Sequence, residues 1–180
     1  MSGPDQQTPP EPSPGSSRPT TRNASIRSAR PGDEPHILRF IRDLAHYEKL
    51  EHQLDLSAVR LTEHLFGQNP VCAALLVEHE GKPVGFALFF TSYSTFWCKP
   101  CLFLEDLYVD PEFRGRGYGL ALLQALAAEA IRRDCPRLDW HVLDWNQLAI
   151  DFYERQGAIV MPDWRTCRFE GPALVRMAGQ

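Results

Sequence analysis

Leu104–Leu126, LEDLYVDPEFRGRGYGLALLQAL, is the stretch from which the rest of the chain is read. It sets two acids, Glu105 and Asp106, inside an apolar run. A turn at Pro111 follows, and then glycines at 115, 117 and 119 open a segment of apolar residues at helical spacing. Physically this is a strand, a tight connection, and a helix whose first turn is stripped of side chains. Bare backbone N–H groups at a helix N-terminus, backed by the helix dipole, seat a phosphate or pyrophosphate. Carboxylates on one side and an anion seat on the other point to a site joining a phosphate-bearing cofactor to a cationic substrate.

Upstream, the pattern predicts a strand over Ser25–Ala29 and then a helix on the stripe Ile37, Leu38, Ile41, Leu44, Ala45. A second helix is predicted from the N-cap Ser57 through Leu65, stopped by Gly67. Cys72–Val77 and Val84–Phe90 read as an antiparallel hairpin across His79–Pro83, and Leu102–Val109 as the next strand. Downstream come a helix over Gly117–Arg132, a strand over Arg137–Leu143, a helix over Asn146–Gln156 and a closing strand over Arg165–Phe169. The order is neither alternating βα nor all-β. It predicts an α/β chain of the α+β type, a mixed, mostly antiparallel central sheet flanked by helices.

The 180 residues suit one domain with a sizeable core. Residues 1–24, rich in Pro and Ser, bury too little apolar surface to offset their ordering entropy and are expected to be a disordered tail. The folded domain is then 25–180. A net charge of −4 speaks against a nucleic-acid binder. No apolar run of membrane-spanning length and no secretory leader is present, and the five scattered cysteines fit a reducing cytoplasm. Cys98-Lys99-Pro100-Cys101 has no second Cys or His pair near it, so no metal site is expected. The histidines show no metal or triad pairing and read as surface or packing residues, His141 falling in a predicted strand.

Arg114-Gly115-Arg116-Gly117-Tyr118-Gly119 fits neither the GxGxxG spacing of dinucleotide folds nor a P-loop. It has the form Arg/Gln-x-x-Gly-x-Gly/Ala, and here the chain resembles the GNAT superfamily of acetyl-CoA-dependent N-acetyltransferases. Asp144-Trp145-Asn146 through Tyr153 to Gly157-Ala158 resembles that superfamily's second cofactor segment. Taken alone, Asn146 is an N-cap, Gly157 a helix stop and Tyr153 a core aromatic rather than a site residue. Ile37–Leu50, Phe66–Pro70, Leu104–Val109 and Leu143–Asn146 carry the resemblance further, to the spermidine/spermine and thialysine acetyltransferases. Cys167–Gly171 leans toward the thialysine branch. The chain departs from these proteins in its Pro-rich extension and in Ser92–Pro100, which leaves the acceptor amine open.

The resemblance implies a direct transfer from acetyl-CoA to a small primary amine, a polyamine or a thialysine-like amine, in a homodimer. Leu107, Tyr108 and Val109 would lie along the pantetheine arm, Arg114, Gly115, Arg116, Gly117 and Gly119 would hold the pyrophosphate, and Asn146 would touch the cofactor. Tyr153 would protonate the departing thiolate, Glu105 would take the amine's proton directly or through water, and Glu48, Trp97, Glu105 and Asp106 would receive the substrate. An ammonium of pKa about 10 does need a carboxylate to attract and deprotonate it. An N–H freed by a bulge suits the oxyanion. Strand alternation sends Glu105 and Asp106 to opposite faces unless the strand twists or bulges there. Competing readings are an acetyltransferase of protein lysines or of an amine-bearing antibiotic, and a non-catalytic acyl-CoA-binding module. The presence of both Tyr153 and Glu105 speaks against the last.

Overall fold

Apolar alternation at period two and apolar stripes at period 3.6 sort the chain into one sheet and the helices that cover it. The structure, a computed structural model, describes residues 24–180. Apart from Ala24, the expected tail lies outside the described residues. The strands are β1 (Ala24–Ser28), β2 (Ala73–His79), β3 (Lys82–Ser94), β4 (Lys99–Val109) and β5 (Leu138–Trp140), and the helices α1 (Glu34–Glu48), α2 (Ala58–Phe66), α3 (Tyr118–Arg132), α4 (Gln147–Arg155) and α5 (Gly171–Met177). The described chain divides into two compact units, one ending at Trp140 and one running His141–Gln180.

In the first unit the five strands lie in sequence order, antiparallel except for the β4–β5 pair. This is the mixed sheet that the sequence predicts. The β2–β3 hairpin turns at Glu80-Gly81, between the paired His79 and Lys82. Strand alternation gives each face its own helix cover. Ala74, Leu76, Phe86, Leu88 and Tyr108 form one core with Ile37 and Phe40 of α1 and Leu65 of α2, and the Phe40 and Phe86 rings stack at 5.5 Å. The opposite face, on which Phe89 lies under the Arg133 guanidinium, receives α3 through the fully buried Leu122 and Leu126. Burying side chains of this size contributes roughly 1.5–3 kcal/mol each, so the sheet is held firmly from both sides.

The predicted boundaries hold where a local chemical signal sets them. Ser57 Oγ accepts from Arg60 N–H and begins α2. Gly67 ends it in an extended conformation, and the position suits glycine because a Cβ there would lie 2.5 Å from the Glu63 carbonyl oxygen. β5 is shorter than the predicted Arg137–Leu143, since only Leu138–Trp140 pair with β4.

In the second unit Asn146 Oδ1 accepts from Ala149 N–H and caps α4, and Gly157 and Ala158 close it onto the Glu154 and Tyr153 carbonyls. Arg165–Phe169 is not a strand. The segment is exposed throughout and belongs to no ladder. A strand is completed by a neighbour's backbone groups, and within this unit no strand offers them. The chain instead makes α5, started by Pro172 in its first turn.

Candidate active site

The site grows from a defect in the β3–β4 ladder. Leu88 pairs with Asp106 and Phe89 with Leu104, so Glu105 is an extra residue on β4. This bulge is the break in alternation that adjacent acids require. Glu105 is exposed, whereas Asp106 is half-buried on the α1 face beside the last turn of that helix, where Glu48 lies. Burial, and then the charges of Glu105 and Glu48, push the Asp106 carboxyl up to about 7. Burial raises Glu48 as well. The structure therefore brings Glu48, Glu105 and Asp106 into one field of negative charge within the first unit, which a cation would relieve.

Past the bulge β4 loses its second neighbour. β5 pairs only at Leu102–Leu104, so among the described residues Leu107–Val109 have a strand on the β3 side alone. Asp110 N–H donates to Val84, on the β3 side. By alternation Val109 turns its N–H and C=O to the open side. The Val109 carbonyl there already accepts from Arg114 Nε, and its N–H is left for an extended ligand to pair with as a strand would. Gly85 keeps β3 close there, for a Cβ would meet the Tyr108 carbonyl oxygen at 2.5 Å.

A short 3-10 turn, Pro111–Phe113, leads from β4 into the glycine loop. Gly115 and Gly117 have φ of +73° and +84°, a region that favours glycine, and no atom lies within 4 Å of where a Gly115 Cβ would stand. Gly117 is the N-cap of the fifteen-residue α3, without a side-chain cap bond. The first-turn N–H groups are thus left to an external acceptor, and the open cradle fits a pyrophosphate.

The loop's charged residues divide their work. Arg114 Nε donates to the Val109 carbonyl at 2.9 Å, and its guanidinium lies 5.3 and 5.6 Å from the Tyr47 and Tyr108 ring centres. Arg116 covers the Phe113 ring at 5.2 Å. The loop is also anchored from α1, where Arg39 grips Asp110 through two hydrogen bonds of 2.8 and 3.0 Å. Sequence reasoning missed Arg39, Asp110 and Tyr47, because their pairings join residues about 60 to 70 positions apart and no spacing rule reaches that far. Arg39 stands off the apolar stripe of α1 and is partly exposed, so no local signal marked it.

Trp97 stands apart from the acids. It occupies the β3–β4 hairpin tip, beyond the Ser94–Lys99 pair, and is 61% exposed. Lys99 precedes Glu105 by six residues, about 20 Å of strand. Asn146 and Tyr153 belong to the second unit. Asn146 caps α4, and half-buried Tyr153 lies on that helix against Phe152 at 5.3 Å. Among the described residues no cluster of three or more His, Cys, Asp or Glu could hold a metal ion.

A strand edge that opens past a bulge, followed by a glycine loop on a helix N-terminus, is the arrangement on which the comparisons bear. A model of the acetyltransferase (GNAT) family matches residues 37–158. The chain belongs to the GNAT family. It is an acyltransferase, and relatives match most of its length. A thialysine N-epsilon-acetyltransferase of Sus scrofa is 40% identical over 166 residues, covering 86% of this chain and 97% of the relative. Spermidine/spermine N(1)-acetyltransferase-like protein 1 of Homo sapiens is 36% identical over 163 residues, covering 85% of this chain and 23% of that larger protein. Among solved structures, an integron cassette protein from the mobile metagenome of V. cholerae superposes with a TM-score of 0.71 at 27% identity, covering 88% of this chain and 99% of its own. In this GNAT chain the bulge and the glycine loop lie within the matched residues, as do Asn146 and Tyr153.

Proposed function

We propose that the chain transfers the acetyl group of acetyl-CoA to the side-chain amine of a small, cationic substrate of the thialysine or polyamine class. The observation that carries this reading is the convergence of Glu48, Glu105 and Asp106 where β4 enters the glycine loop. The names of the relatives support the substrate class. The ammonium is drawn to the acids, with Asp106 and Glu48 holding it and Glu105, the exposed member, taking its proton directly or through water. The free amine attacks the thioester, and the turned-out N–H of Val109 is placed to answer the growing oxyanion. Leu107–Val109 pair with the pantetheine arm. The loop residues Gly115–Gly117, with Gly119, receive the pyrophosphate on backbone N–H groups, while Arg114, whose N–H is taken by the Pro111 carbonyl, braces the loop through its side chain. Asn146 is assigned to the cofactor and Tyr153 to protonation of the thiolate, both on the strength of the sequence pattern.

A second reading exchanges the acids. A carboxyl near 7 is better matched to a proton transfer at neutral pH than an ordinary carboxylate, which favours Asp106 as the base. We further propose that residues 25–180 act as one catalytic domain, which the family match supports by running across the division at Trp140. A homodimer is supported by the exposed apolar side chains Met161, Trp164 and Phe169. A cytoplasmic setting is supported by five cysteines without a disulfide. The test is thiol release from acetyl-CoA with a panel of thialysine, lysine, spermidine and an aminoglycoside. Turnover with the first three classes is expected. Turnover with the aminoglycoside alone, or none with any amine alongside tight CoA binding, would refute the proposed substrate class.

A further inference from the structure

His79 closes β2, far in sequence from the glycine loop, yet its ring meets both ends of that loop. The Tyr118 hydroxyl and His79 Nδ1 share a hydrogen bond of 2.7 Å. Tyr118 is the first residue of α3 and only 4% exposed. The Phe113 ring, just before the loop, lies 5.2 Å from the imidazole, and the Tyr118 ring, just after it, 5.9 Å. Phe113 in turn carries the Arg116 guanidinium on its face. The imidazole is held in place by the sheet, since His79 pairs with Lys82 on one side and Ala24 on the other.

The backbone is held where the loop begins, by Arg114 N–H on the Pro111 carbonyl, and where it ends, by Ala121 N–H on the Gly117 carbonyl, and the glycines between leave its shape loosely set. Two of the four intervening residues are glycines with positive φ, and at Gly115 nothing stands within 4 Å of a Cβ position. Such a segment loses much conformational freedom when it orders around a ligand. A ligand that found it already shaped would bind more tightly, because that ordering is done in advance. From this geometry we propose that His79 is a positioning residue for the pyrophosphate loop. It clips the two ends of the loop together and aims the first N–H groups of α3 without touching the cofactor. The inference rests on reading the loop as the seat of the acetyl-CoA pyrophosphate.

The reactive end of the cofactor lies on β4, so a clip on the loop affects donors that carry a pyrophosphate and leaves others alone. The experiment compares acetyl-CoA with acetylpantetheine, which keeps the thioester and the pantetheine arm but lacks the pyrophosphate. In His79→Ala the KM for acetyl-CoA is expected to rise about tenfold, from the loss of one hydrogen bond and two ring contacts, with kcat at saturation within about twofold of the parent. The kcat/KM for acetylpantetheine is expected to stay within about twofold. Tyr118→Phe, which keeps the ring and removes only the hydroxyl, is expected to raise the acetyl-CoA KM about threefold to fivefold with the same donor selectivity. Equal losses for both donors in these variants would make His79 an ordinary packing residue and overturn the proposal. A parent enzyme that does not distinguish the two donors would fail in a different place. It would remove the phosphate seat itself, and this proposal with it.

Discussion

The two ends of β4 present opposite surfaces. At Glu105–Val109 the strand is bulged, packed under α1 and tied through Asp110 and Arg114 to that helix. At the Lys99 end the ladder runs out into a hairpin tip with Phe96 and Trp97 in solvent. Charge is sheltered at the first end and aromatic surface is exposed at the second. The contrast shows how a sheet can carry chemistry at a single point. Where the ladder is interrupted and buttressed, adjacent acids act on one another and backbone groups are released for a ligand. Where it continues undisturbed, it places side chains alternately and builds no site.

Substitutions at the two ends put this contrast to the test. Glu105→Gln is expected to have the largest effect, a fall of about 10²–10⁴ in kcat/KM for the amine. A fall under about tenfold would pass the base role to Asp106. Asp106→Asn comes next, with two signatures. The acidic limb of the kcat/KM profile, which reports the free enzyme, should lie near pH 7 in the parent and vanish in the variant. Stability should move the other way. A raised carboxyl pKa means that the folded chain holds a proton which the unfolded chain has already released between its ordinary value of 3.8 and about 7. Stability therefore falls across that window as pH rises, and the variant relieves the cost above it. A gain on the order of 2–4 kcal/mol at pH 8, shrinking toward pH 4, is the expected result in thermal or denaturant melts. Equal stabilisation at both pH values would refute the assignment.

Arg39→Met should cost about 1 kcal/mol, because the guanidinium it removes is partly exposed. The accompanying rise in acetyl-CoA KM should exceed any change in the amine KM, since Asp110 leads into the loop. Trp97→Ala is expected to change least, with amine kcat/KM within about threefold. A larger loss would carry the hairpin tip into the site and dissolve the contrast.

How far the sequence reached follows from the range of each signal. The caps at Ser57 and Asn146, the stop at Gly157 and the glycine loop are written within a few neighbouring residues, and each stands where the reading put it. The need for a twist or a bulge at Glu105–Asp106 was also readable, since plain alternation sends adjacent acids to opposite faces, and the structure takes the bulge. What pairs with β4, and for how long, is a contest between distant segments. That is why β5 came out shorter than its apolar run and Arg165–Phe169 made no strand. The approach of Glu48 to Asp106 depends on how α1 lies across the sheet, and the His79–Tyr118 bond joins residues 39 apart. Such meetings are set by packing, not by spacing.

The single extra residue at Glu105 also acts as a change of phase. Leu104 stands opposite Phe89, on the side covered by α3, and Asp106 opposite Leu88, on the side covered by α1, although both are even-numbered. One strand thus runs in two frames, and Glu105 is the comma between them. Deleting Glu105 would join Leu104 directly to Asp106 and leave each opposite its present β3 partner, so the ladder would close, Asp106 would stay under α1, and the bulge itself would be lost. Substitutions at Glu105 leave the punctuation intact, whereas removing the residue erases it.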